Sequence, residues 1–106
     1  MTPYFEAICP ATSAQIAAIE PVNRHSPFNT AAFAAACAES GVTPCVFALK
    51  VGSEVVSGCL GFLEKGRLSR RLEIVSAPQL AQPTAFWAGV WGFCRQQGVW
   101  ELVVES

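Results

Sequence analysis

Apolar and polar residues change their spacing several times along this chain, and each change marks an element. Tyr4 to Ile8 alternates, which predicts a first strand stopped by Pro10. Thr12 or Ser13 can cap a short helix from Ala14 to Glu20, closed by Pro21. Asn23 to Thr30 has loop composition. Asn29 or Thr30 then opens a helix over Ala31 to Glu39, with Phe33 and Cys37 four apart on its buried face and Gly41 at its end. After Pro44 the period becomes two. Cys45 to Val51, Val55 to Leu63 and Leu68 to Val75 read as three strands joined by turns at Gly52-Ser53 and Lys65-Gly66, an antiparallel meander. Phe47 and Leu49 alternate with Val46 and Ala48, so both faces of the first meander strand are apolar and the sheet is expected to be covered on both sides. The loop Ser76 to Pro83 leads to a helix from Thr84 to about Gln97, with Pro83 in its cap region or first turn. Phe86, Trp87, Val90, Trp91 and Cys94 form its apolar stripe, Gly98 caps it, and Trp100 to Val104 is a closing strand.

At 106 residues the chain is expected to be one domain, residues 1–106, with a strand and short helix in residues 1–20. Hydrophobic residues make up 52% and charged residues 14%, which leaves little polar surface to cover a monomer and implies an apolar patch facing another domain or subunit. The net charge is -1 and the seven Lys and Arg form no dense run, so nucleic acid is not expected as a sequence-specific partner. All eight acids are Glu, so neither an Asp-centred metal loop nor a Ser-His-Asp triad can be built from this chain. The five cysteines, Cys9, Cys37, Cys45, Cys59 and Cys94, are widely spaced without a C-x-x-C pair, and buried reduced thiols are the expectation. With no signal-peptide pattern and no apolar run of about 18 residues, no membrane association and a cytoplasmic location are expected.

Several residue groups invite a chemical reading. Gly58 and Gly61 could admit a ligand, but a phosphate-cradling loop needs a strand-to-helix transition and these glycines lie inside a strand; close packing or a bulge is expected. His25, the single histidine, is expected on a solvated loop, a poor metal site without Asp or Cys beside it in sequence. Arg67, Arg70 and Arg71 bracket the second turn. Their expected roles are edge protection and pairing with Glu64 and Glu73, with Arg70 and Arg71 also the candidate contacts of an acidic or phosphate-bearing ligand. Trp87, Trp91 and Trp100 are expected in the core or an interface.

The order of elements, from Ser26-Pro27-Phe28-Asn29-Thr30 through VFALKVGSEVVSGCLGFLEKGRLSRRLEIVSAP to FWAGVWGFCRQQGVWELVVES, resembles the N-terminal half of a GNAT-fold domain over about residues 21–106. It looks most like the FemAB-type branch, which transfers amino acids or other acyl groups. The resemblance implies an α+β fold, a GNAT-like half-domain with an antiparallel meander sheet and helices on both faces. It implies that the third meander strand splays from the closing strand, and that Ile74, Val75 and Ser76 line the acyl-donor side through backbone groups. It designates no catalytic residue here, and the residues themselves lead to the expectation of no metal. An acyl-CoA or aminoacyl-tRNA donor follows by the same resemblance. Acetyl-CoA-dependent members carry an R/Q-x-x-G-x-G/A pyrophosphate loop where this chain has SAPQLAQPT, and no glycine occurs between Gly66 and Gly89. The FemAB-type branch, or a non-catalytic copy of the fold, is therefore favoured over an acetyl-CoA enzyme. The expected function is part of an acyl or aminoacyl transferase needing a completing C-terminal domain or a second copy. The alternative is a GNAT-like module that dimerises, and a third reading is a small-ligand binder using the arginines.

Overall fold

The computed structural model describes residues 2–24, 26–66, 69–80 and 82–105. The chain runs β1 (Tyr4–Ile8), α1 (Ser13–Ala17), a 3-10 helix (Glu20–Asn23), α2 (Ala31–Ala38), β2 (Thr43–Val51), β3 (Glu54–Lys65), β4 (Arg70–Ile74), α3 (Pro83–Gln97) and β5 (Glu101–Val104). The five strands stand side by side in chain order. From β1 to β4 each neighbour is antiparallel, as tight turns or returning segments require. The last pair is parallel, from Arg71 opposite Glu101 to Ile74 opposite Val104, because α3 carries the chain back to the starting end of β4.

Alternation along β2 sorts the core into two layers. Cys45, Phe47 and Leu49 point to the α3 side, where they meet Cys59, Leu63, Leu72 and Ile74 of the sheet and Phe86, Val90, Phe93 and Cys94 of the helix. Val46 and Ala48 point the other way, with Leu60 and Phe62, against Ile16, Ile19 and Ala34 beneath α1 and α2. The sheet is thus covered on both faces, as the pattern of β2 implied.

Local chemistry explains the boundaries. Thr12 accepts from the Gln15 N–H while the Gln15 side chain accepts from the Thr12 N–H, a reciprocal cap on α1. That helix stops at Ala17, earlier than expected, and Pro21 sits inside the 3-10 turn, whose first residues need no N–H donor. Thr30 caps α2, whose fully buried residue is Ala34, flanked by half-buried Phe33 and Cys37. Pro44 lies within β2 because β1 ends opposite Val46, so no β1 strand residue faces its missing N–H. Pro83 takes the first turn of α3, and Gly98 closes the helix in the left-handed conformation.

Three expectations need correction or lie outside the description. Cys9 and Cys45 form a disulfide, with Cα atoms 4.5 Å apart, instead of remaining reduced. The pairing of Ile8 with Val46 continues outward to set Cys9 opposite Cys45. Cys37, Cys59 and Cys94 are free. The α3 stripe is Phe86, Val90, Phe93 and Cys94, whereas Trp91 and Trp100 are 55% and 83% exposed and so not in the core. Residue 91 lies about 100° around the helix from Val90, on the flank that overhangs β5. His25, Arg67 and Leu68, the last expected to open the third meander strand, lie outside the described residues.

Gly58 and Gly61 serve packing. A Cβ on Gly58 would stand 2.9 Å from the Phe47 carbonyl oxygen, and one on Gly61 would collide with the Phe47 ring. The irregularity in β3 falls elsewhere, between the pairs Leu49–Ser57 and Lys50–Val55, where Val56 is the extra residue of a bulge.

Candidate active site

The end of β4 gathers most of the polar chemistry of the chain. Pairing between β3 and β4 begins at Phe62 opposite Glu73, so the Leu60 N–H beyond it has no strand partner there. Asn29, only 1% exposed, supplies one: its Oδ1 accepts from Leu60 N–H at 3.0 Å and its Nδ2 donates to the Ser76 carbonyl at 3.2 Å. The Ser26 hydroxyl donates to Ser76 Oγ at 2.7 Å, and Asn23 Nδ2 donates to the Gly58 carbonyl at 2.6 Å. Above these contacts lies a polar cavity of about 210 Å³ lined by Val22, Asn23, Ser26, Ser76, Ala77 and Gln79.

Glu73 projects from β4 on the α2 side. Hydrogen bonding with the neighbouring Glu105 side chain, and then burial, holds its carboxyl above the ordinary glutamate value, against the opposing pull of Arg71. The Cys37 thiol is pushed up by burial and, secondarily, by the negative charge of Glu73, which lies on the same side of the sheet as α2. An aromatic wall adjoins it: Phe33 stacks edge-on against Phe62, the cross-strand neighbour of Glu73, and Phe28 against Phe33.

The residues singled out from sequence fall into two groups. Ile74 is buried, with its carbonyl accepting from the Glu105 N–H at 2.9 Å, and Val75 is half-buried. Ser76 opens onto the polar cavity. Arg70 and Arg71 diverge to opposite faces: Arg70 Nη1 donates to the Gln97 carbonyl at the end of α3, at 2.5 Å, while Arg71 pairs with Glu101 at 3.0 Å and Glu73 at 3.5 Å. Each guanidinium is therefore engaged by the protein itself, and Arg71 bonds Glu101 rather than Glu64, which faces it across the strands. Glu73, Glu105 and Asn29 were not singled out as a site by sequence. The one signal for the carboxyl pair is that Glu73 and Glu105 both sit next to the strand ends that a parallel β4–β5 pair brings together.

Among protein-family models and among curated proteins, none matches this sequence. Two solved structures share its shape. An aminoglycoside acetyltransferase from an uncultured soil metagenomic sample superposes with a TM-score of 0.63 at 14% identity, covering 100% of this chain and 80% of that one. A Trypanosoma brucei acetyltransferase superposes with a TM-score of 0.54 at 12% identity, covering 96% of this chain and 82% of that one.

The fold is GNAT-like. Within this GNAT-like fold β4 and β5 remain hydrogen-bonded to the end of their described length, so the expected splay between them is not present among the described residues. The segment where a CoA pyrophosphate would be held does not fit that group. Gln82 gives α3 no side-chain cap, Pro83 removes a first-turn N–H, and residues 76–83 carry neither a glycine nor a basic side chain. Among the described residues there is no cluster of metal-binding side chains, and no helix is long and apolar enough to cross a membrane.

Proposed function

We propose that this chain takes part in acyl or aminoacyl transfer to an amine, with Glu73 as the general base. The observation that carries the reading is the Glu73 carboxyl, held above its ordinary value beside Glu105 and close along β4 to the polar cavity. Ser76 follows Glu73 by three steps of extended chain, about 10 Å. A base of this kind works best when its affinity for a proton lies near the operating pH, and a raised carboxyl moves in that direction. In the transfer step the amine nitrogen forms a bond to the acyl carbonyl carbon and its surplus proton passes to Glu73. The bond from carbon to the donor's sulfur or oxygen then breaks, and the leaving atom takes the electron pair. The fold, shared with two acetyltransferases, supports acyl transfer as the class of reaction.

The FemAB-type branch is the finer reading we favour. Its support is the poor fit of the Ser76–Pro83 segment to pyrophosphate, which turns the reading from acetyl-CoA toward a donor such as aminoacyl-tRNA or an acyl carrier gripped elsewhere. On this reading a second half-domain or a second copy completes the site. The exposed Trp91, Trp100 and Val104 favour a second reading, a non-catalytic GNAT-like module that pairs with another chain.

Incubation of the purified chain with primary amines, and with acetyl-CoA or alanyl-tRNA in separate reactions, tests the proposal by mass spectrometry of the amines. The expected outcome is acylated amine from at least one donor, with the rate falling about 10²–10⁴-fold in Glu73→Gln. Absence of product from both donors, or full activity in Glu73→Gln, overturns it.

A further inference from the structure

The sheet ends at β5, and nothing among the described residues pairs with its outer edge. The Glu105 N–H is given to the Ile74 carbonyl at 2.9 Å, so by strand alternation the N–H groups of Leu102 and Val104 point away from β4. Beside this edge lies an open apolar groove of about 440 Å³ between α3 and β5, lined by Trp87, Trp91, Leu102 and Val104. Trp100, 83% exposed, stands where β5 begins, and Val104, 43% exposed, where it ends.

We propose that β5 pairs antiparallel with β5 of a second copy of this chain, forming a continuous ten-stranded sheet, five strands from each copy. A two-fold axis normal to the sheet keeps α3 of both copies on one side and brings the two grooves together. Leu102 and Val104 lie on the α3 face, so the register that sets Leu102 opposite Leu102 of the second copy sets Trp100 opposite its Val104 and Glu101 opposite its Val103. The neighbouring register, with Val103 opposite itself, would put Glu101 against Glu105 of the second copy and is penalised by like charge. The surface is thus complementary to itself, which a two-fold interface requires and an unrelated partner does not supply.

The area is sufficient. At 55% and 83% exposure the two indoles present on the order of 300 Å² per copy, about 600 Å² for the pair, so the aromatic rings alone supply about half of the smallest standard interface. The strand edges, Val104 and the flank of α3 add the rest.

The test is the mass of the intact chain by light scattering and sedimentation across a micromolar-to-millimolar dilution series, with three variants checked for folding by circular dichroism. Val104→Pro removes an outward N–H that makes no bond to β4, so the monomer keeps its fold while the edge loses its pairing. The wild type is expected to run as a dimer, and Val104→Pro to weaken it at least about tenfold, two hydrogen bonds being lost per dimer. Trp91→Lys with Trp100→Lys does the same through the groove and stands in if the proline variant does not fold. Val56→Lys, at the exposed bulge of β3, is expected to leave the dimer intact. A wild-type monomer throughout the series, or a dimer untouched by both β5-side variants, or one dissolved equally by Val56→Lys, overturns the proposal.

Discussion

Gly89 and Gly92 lie one turn apart on α3 and face opposite demands. A Cβ on Gly89 would enter the Phe5 ring, which packs from β1 onto the helix backbone, whereas a Cβ on Gly92 meets nothing within 4 Å. Alanine gains roughly 1 kcal/mol over glycine in a helix interior. At Gly92 that gain stands alone, so Gly92→Ala is expected to stabilise the protein by up to about 1 kcal/mol in urea unfolding. At Gly89 it is opposed by overpacking of roughly 1–3 kcal/mol, so Gly89→Ala is expected to destabilise. Equal effects of the two substitutions would contradict the packing of Phe5 on α3. The same residue scale shows why the glycines of β3 were readable as packing and the tryptophans were not. Glycine inside an alternating strand has few uses, but an indole is as apolar in a core as at an edge, and only the rotation of α3 against β5 separates Trp91 from Phe93.

At the scale of elements, the strands and helices followed from period and punctuation: Thr12, Thr30, Pro83 and Gly98 mark ends that the structure confirms. The meander followed from its turns. The site was less legible because it is made by elements distant in sequence. Asn29 reads as a cap candidate, yet it spans 31 residues to bond Leu60 and 47 to bond Ser76, while Thr30 does the capping. Nothing local to Asn29 encodes that. Removing it orphans the buried Leu60 N–H and frees the loop after β4. Asn29→Ala is expected to cost at least about 2 kcal/mol of unfolding free energy. It should also speed hydrogen exchange at Leu60, and unchanged exchange there would show that another group satisfies that amide. The disulfide was missed for the same reason: Cys9 and Cys45 are 36 residues apart, and only the register of β1 on β2 brings them face to face.

At the scale of the whole molecule, the GNAT-like sheet sets the Glu73 carboxyl beside Glu105 where β4 and β5 end, next to a polar cavity on one side and, among the described residues, an unpaired sheet edge on the other. Glu105 and burial hold the Glu73 carboxyl above the ordinary glutamate value in the folded state, and this has a consequence for stability. A glutamate whose folded value is raised contributes stability that is fully present below its unfolded value, about 4.5, and is lost as pH rises through the folded value. Glu73→Gln cannot titrate and escapes that loss. Urea unfolding of wild type and Glu73→Gln at a series of pH values from below 4.5 to neutrality isolates the effect as the difference between the two. Wild type is expected to lose stability relative to Glu73→Gln as pH rises across that window; a difference that stays constant, or that moves in favour of wild type, would contradict the raised Glu73 carboxyl.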